Sequence, residues 1–523
     1  MMNMTTSFLT DNNKYWLYRA GLSIASGMSL ASAFAPENMP LCTIAALVVI
    51  FYMVAQTQRV WEAGLWGWLF GFGWFASGIN WVYYSMYHYG YMPLEWTYVT
   101  TATLSLALGL FPAIAMMVAT WITPDAKWRL ALTLPATFTL TEWLRGWLFS
   151  GFPWLNPAYS IVDWDLAGIA PFMGVYGVLL ALVWIAGLVG AAWNAWGKAQ
   201  WIYVASVALT IVTLIIVGMI GKQVVWTQPV GELAVRMVQP NFEPRLIQQT
   251  MNERFDETFF YLDSVDPAKF KPDVVMLPES VYPTSVQRFP AHEKARLLDW
   301  VKRNEAGVLF NAFWEPEVND FANAAIYVSE TGDVSVYEKR HLVPFGEFVP
   351  YGFQWYVDAM RIPMGDLRAG TEEQPLFNIK GHEVSVNICY ENLFGEEWIE
   401  AWKNGNPQLL VNLSNLKWFG PLRAAAQHLQ ISQMRALETA RPLLSVTNSG
   451  KTALVNERGE IVHALPTDQS GVLDIKVPLV MGEATPYVKM GNWPAILWAL
   501  AMFLIGFVTT IVTKRSKINK FDA

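Results

Sequence analysis

Eight apolar runs, each near the roughly 20 residues that cross a bilayer as a helix, dominate this 523-residue chain, at about 15–35, 39–57, 64–87, 94–121, 129–150, 165–194, 200–221 and 491–513. A composition that is 53% hydrophobic and 14% aromatic exceeds what a soluble domain usually carries. The expectation is a multi-pass α-helical membrane domain of about eight spans. Seven of them fill residues 1–221, a long insert occupies 222–490, and the last span with a basic tail makes up 491–523.

Basic residues alternate between the connections. Lys14, Arg19, Arg59, Lys127, Arg129, Lys198, Lys514, Arg515, Lys517 and Lys520 fall on one side, whereas 36–39, 88–93 and 151–164 contain no Lys or Arg. By the positive-inside rule both termini are cytoplasmic and the insert, which follows an odd number of spans, faces the periplasm or its equivalent. No small-residue cleavage site follows the first run, so it reads as a retained span and not as a removed signal peptide. A net charge of −7 offers no basic footprint for nucleic acid.

Within the insert the apolar runs shorten to strand length between Pro, Gly, Asn and Asp, and helical stretches alternate with them, the pattern of an α/β domain. Strands are predicted at 233–238, 274–277, 308–310, 325–329, 334–337, 384–389, 409–413, 443–447 and 453–455, and helices at 291–303, 393–404 and 421–440. Three strand ends carry residues that a core does not select: Glu279, Lys339 and Cys389. Taken singly, such a cysteine is more often a small buried hydrophobe than a nucleophile, and such a Glu or Lys is more often a solvated charge. Together they make a base, a cation and a nucleophile.

Of the two cysteines, Cys42 lies in the second apolar run, so Cys389 has no evident bridging partner in an oxidising compartment. A thiol becomes strongly nucleophilic on ionising, which calls for a base and a positive surrounding. Glu279 fits the base, and Lys339 fits a fixed cation facing the oxyanion that forms when an acyl carbonyl is attacked. His428 has no second histidine at ligand spacing, so no metal site is expected, nor a cofactor.

The segments Leu-Pro-Glu279, Tyr-Glu-Lys339-Arg-His-Leu-Val-Pro-Phe-Gly-Glu347 and Ile-Cys389-Tyr390-Glu391 resemble the nitrilase superfamily. With spans on both sides, the chain resembles its membrane-embedded branch, the apolipoprotein N-acyltransferases. Phe34-Ala-Pro, Glu142-Trp-Leu-Arg145, Gly151-Phe-Pro-Trp154, Gly174-Val-Tyr-Gly, Asn412-Leu-Ser-Asn415, Trp418-Phe-Gly420, His428-Leu-Gln and Met434-Arg-Ala-Leu-Glu438 extend the likeness over almost the whole chain. The resemblance implies a nitrilase-like α-β-β-α sandwich on the outer face of a bacterial inner membrane. It implies Glu279 as general base, Lys339 as oxyanion stabiliser and Cys389 as the acylated nucleophile, with Glu347, Tyr390 and Glu391 in support. It also implies a phospholipid acyl donor, typically phosphatidylethanolamine, and an apolipoprotein acceptor. The chain departs from the family at Leu416-Lys417, where many members read Asp-x, and at Gln248, near the place of a frequent tryptophan.

Other readings stay open. A membrane-tethered amidase or nitrilase would use the same three residues and admit water to the thioester. A transporter with an external sensor domain is disfavoured by the scarcity of ionisable residues in the spans. The apolar arm Phe345, Phe348, Tyr351, Phe353, Trp355, Tyr356, Met360 and Ile362-Pro-Met364 reads as a lid or acyl groove, or as core packing. Glu142 and Arg145, one helical turn apart, read as a structural ion pair, the alternative placing Arg145 on a lipid phosphate.

Overall fold

The computed structural model describes residues 11–243, 251–360, 366–421 and 423–521. The side chains of Tyr356, Met360, Lys514, Arg515, Lys517 and Lys520, and the whole of Gln248 and 362–364, lie outside the described residues.

Residues 11–223 are almost entirely helical, and a last helix runs Trp493–Phe521. By length and composition four described helices can cross a membrane: Leu94–Ile122, Asp165–Trp196, Trp201–Gln223 and Trp493–Thr513. The expected eight are thereby reduced. The run at 39–57 yields a helix of 15 residues, Leu41–Ala55. That at 64–87 divides into Val60–Gly78 and Val82–His88. The run at 129–150 holds Arg129, Glu142 and Arg145, and the helix Asp11–Ala31 opens with Asp11 and Lys14. Arg129, counted above with the loop charges, is fully buried and donates to the carbonyls of Val54, Thr57, Thr123 and Pro124, closing the C-terminal ends of two helices.

Between these helices two sheets stack face to face. One has the order Gly471–Gly482, Thr227–Gln239, Val274–Met276, Gly307–Trp314, Ala322–Val328, Val334–Glu338, with Tyr282–Ser285 also beside Gly307–Trp314. The other runs Ile461–Ala464, Ala453–Val455, Leu443–Thr447, Leu409–Ser414, His382–Ile388, Phe377–Ile379. Alternation along His382–Ile388 sends Val384, Val386 and Ile388 into the inter-sheet core with Val235, Met276 and Val411. Helices Met251–Asp263 and Ala291–Asn304 cover the outer face of the first sheet through Phe255, Phe259 and Trp300. Leu429 and Ala436 of Ala424–Thr439 cover the second. The layering is α-β-β-α.

The helix Ala424–Thr439 is buried on every side because its other face lies on the membrane-type helices, where Ile431, Met434 and Leu437 join their core. Its polar residues bond across the same boundary. The Gln427 oxygen accepts the indole N–H groups of Trp81 and Trp154 at 3.1 and 2.8 Å, and Gln430 accepts Ala35 N at 3.0 Å. Glu438 accepts Val175 N at 2.6 Å. That N–H is exposed by a break at Gly174, whose φ of +66° and contact with the Tyr487 ring leave no room for a Cβ.

Candidate functional site

Three strands, each parallel to a neighbour within its own sheet, lead into the site, and the ends of parallel strands are the customary location of sites in α/β sheets. Glu279 follows Val274–Met276, Cys389 follows His382–Ile388, and Asn415 follows Leu409–Ser414. Lys339 follows Val334–Glu338, held in place by its own N–H on the Asn323 carbonyl at 2.8 Å. The structure therefore brings Glu279, Lys339 and Cys389 together.

Lys339 is fully buried, its Nζ 2.9 Å from Glu347 and 3.7 Å from Glu279. Burial alone would lower its pKa, yet the charges of Glu347 and then Glu279 outweigh this and raise it, so the side chain is held as an ammonium. Burial pushes Glu279 up, and Lys339 partly offsets the rise. One Glu279 oxygen accepts the Asn415 N–H at 2.9 Å and the other accepts the Asn323 amide at 3.1 Å. Asn323 donates to Glu347 as well, at 2.8 Å. Its one amide holds both carboxylates that flank the ammonium.

Cys389 is partly accessible and adopts φ of +52°, a left-handed conformation uncommon for a side-chain-bearing residue. The sharp turn lifts the thiol out of the strand. Burial, then the Glu279 charge, raises its pKa well above the usual thiol range, with Lys339 opposing. The positive surrounding expected from the sequence is thus not what the site provides: two carboxylates face one ammonium, and the resting group is a thiol beside a base.

The supporting residues fall in the same shell. Glu347 also accepts Val343 N at 2.8 Å, which closes the loop after Lys339 on itself. Glu391, fully buried, accepts Tyr337 Oη, Arg340 N and His341 N on one oxygen and Ile388 N on the other, at 2.7–3.2 Å. It clamps the Lys339 loop to the strand that delivers Cys389. Burial, then the Glu397 charge, pushes its pKa up to about 7. Tyr390 donates to the Gly151 carbonyl in the helical part at 2.7 Å.

Asn323 was missed from sequence, although a lone amide inside the apolar run Ala322–Val328 is a readable signal. The Glu142–Arg145 pair is fully buried, and Arg145 also donates to the Phe152 and Trp154 carbonyls, the structural alternative of the two. Leu416 is buried against Gly450, and Lys417 reaches Asn241 at 3.1 Å and Glu243 at 3.4 Å. The arm after Lys339 exposes Tyr351, Phe353 and Trp355, which excludes core packing for those three. Among the described residues no group of His, Cys, Asp and Glu is arranged to hold a metal.

Residues 26–188 match the family described as apolipoprotein N-acyltransferase N-terminal domain, and residues 188–487 match carbon-nitrogen hydrolase. The chain is 37% identical to the apolipoprotein N-acyltransferase of Ralstonia nicotianae, covering 92% of this chain and 91% of that one. It is 34% identical to the enzyme of that name from Bordetella bronchiseptica, over 90% and 93% of the two chains. The Nitrosomonas europaea enzyme of that name is also 34% identical, over 93% and 96%.

Proposed function

We propose, for a chain that belongs to the apolipoprotein N-acyltransferase family, that it acylates the N-terminal amine of diacylglyceryl-cysteine apolipoproteins in two steps through a thioester on Cys389. The observation that carries this reading is the partly accessible, left-handed Cys389 beside Glu279 and the ammonium of Lys339, whose charges act on the thiol in opposite directions. In the first step the Cys389 sulfur attacks an ester carbonyl of a phospholipid as Glu279 takes the thiol proton. The oxyanion forms against Lys339, a contact worth about 3 kcal/mol in comparable sites. Collapse breaks the ester bond, and the departing lysophospholipid alkoxide takes the proton from Glu279.

In the second step the free amine attacks the thioester and gives its proton to Glu279. The C–S bond breaks, and the thiolate recovers that proton. Water would short-circuit this step, so the thioester needs apolar cover. The exposed Tyr351, Phe353 and Trp355 support such cover by lipid and favour acyl transfer over hydrolysis of a small C–N substrate. Glu347, Glu391 and Tyr390 act as positioning residues.

Phosphatidylethanolamine is the donor we favour. The arrangement we favour has a helical membrane part at 1–221, a periplasmic catalytic part at 222–490 and a final span with a cytoplasmic tail at 491–523, in a bacterial inner membrane. The distribution of Lys and Arg among the short loops supports this orientation. Incubating the enzyme with acyl-labelled phosphatidylethanolamine and a diacylglyceryl-cysteine peptide tests the scheme. Label is expected first on Cys389 and then on the peptide amine, and release of free labelled fatty acid in place of the labelled peptide would favour the hydrolase.

A further inference from the structure

His428 is 1% exposed, and its imidazole Nε2 lies 3.3 Å from the carbonyl oxygen of Cys389. A carbonyl oxygen only accepts, so Nε2 carries the proton and Nδ1 is bare. Nδ1 has no partner among the described residues. Burial lowers the imidazole pKa to about 4, which keeps the ring a neutral donor. The Asn412 amide is a second donor to the same carbonyl, also at 3.3 Å, and is itself held on Asn387 at 2.7 Å. Two donors from different elements therefore fix the peptide plane between Cys389 and Tyr390, the plane that directly follows the left-handed residue bearing the thiol.

One donor would satisfy a buried carbonyl. The second comes from the helix Ala424–Thr439, whose adjacent Gln427 is bonded to Trp81 and Trp154 and whose Gln430 is bonded to Ala35. The Trp154 ring also lies against the His428 ring, 6.1 Å between centroids. We infer that His428 is a positioning residue for acyl transfer, its Nε2–H holding the Cys389 carbonyl so that the aim of the thiol is tied to the helix docked on the membrane part. This rests on Cys389 being the acylated nucleophile.

The test uses full-length protein in micelles containing phosphatidylethanolamine, with the Cys389 acyl adduct followed by intact mass. H428L, which removes the donor at similar volume, is expected to acylate about tenfold or more slowly, with the lipid concentration for half-maximal rate unchanged. H428Q, which restores an N–H donor, is expected to recover most of the rate. Wild-type acylation in H428L, or equal slowing in H428L and H428Q, would overturn the inference. An unacylated wild type would instead overturn the assignment of Cys389. If H428L does not accumulate, 15N-histidine spectra of the wild type decide, the His428 signals being assigned by their loss in H428Q. A protonated Nε2 with a bare Nδ1 is expected, and the opposite tautomer contradicts the contact.

Discussion

Tyr390, the residue after the candidate nucleophile, donates its hydroxyl to the backbone carbonyl of Gly151, 2.7 Å away in the helical part of the chain. Gly151 has φ of +73°, and a Cβ there would meet the Gly146 carbonyl at 2.1 Å, so the loop reaches Tyr390 only with glycine at this position. The thiol is thereby registered against the membrane part through its own neighbour. Removing this bond in Y390F leaves a buried carbonyl short of a donor, a cost of about 1–3 kcal/mol. Acylation of Cys389 is expected to slow by about tenfold or more, read as the rate of adduct formation. An unchanged rate would mean that the contact is only structural.

Glu279 and Lys339 are assigned separable tasks, proton transfer and oxyanion stabilisation. E279Q removes the base and K339M the cation, and each is expected to lower the rate of thioester formation by about a hundredfold or more. Because Lys339 sits between the buried Glu279 and the partly buried Glu347, K339M leaves two neighbouring carboxylates without their cation and is expected to lower the melting temperature as well. Normal adduct formation by either variant in phospholipid micelles would show that the roles are wrongly assigned.

The segments around Glu279, Lys339 and Cys389 are legible in sequence because each ends a short apolar strand with a polar residue, a local pattern. Strands at 409–413, 443–447 and 453–455 were read nearly to the residue for the same reason. What was not legible depends on distant partners. The strand Gly471–Gly482 carries Asp474, Lys476 and Pro478, and is fixed by pairing with Thr227–Gln239 more than 200 residues earlier. Ile461–Ala464 is exposed throughout and offers no alternation. Among the described residues fewer helices than the expected eight are long and apolar enough to span, in part because apolar runs contain buried charges: Arg129 and Arg145 satisfy backbone carbonyls that only the folded packing brings near them. Asn323 escaped because its two carboxylate partners are far off in sequence.

Glu438 supplies a pH test of the docking between the two parts. Burial raises its carboxyl to about 7 against an ordinary 4.5, with Arg435 opposing. A raised folded-state pKa means that the folded protein binds this proton more tightly than the unfolded chain. The associated stability is fully present below about pH 4.5 and is lost as pH rises through about 7. The melting temperature is expected to fall between about pH 5.5 and pH 8, and to fall less in E438Q, which keeps an acceptor for Val175 N. Equal slopes in the two proteins would refute the assignment.

Orientation is tested by accessibility. With native cysteines replaced, a cysteine at Ser329 is expected to react with a membrane-impermeant thiol reagent in cells whose outer envelope is permeabilised. One at Ser516 is expected to react only after the inner membrane is opened. Labelling at Ser516 without that step would reverse the orientation and remove access to outer-leaflet phospholipid.

The covalent mechanism meets its most direct test in the intact mass of the purified enzyme after exposure to a phosphatidylethanolamine of defined chains. Wild type and C42A are expected to gain the mass of one acyl chain, mapped to Cys389 and discharged by a diacylglyceryl-cysteine peptide, with lysophospholipid released in equal amount. C389A is expected to gain none, and C389S none at a comparable rate, since a carboxylate base is poorly matched to an alcohol. Peptide acylation by C389A, or an adduct mapped to another residue, would contradict the thioester mechanism.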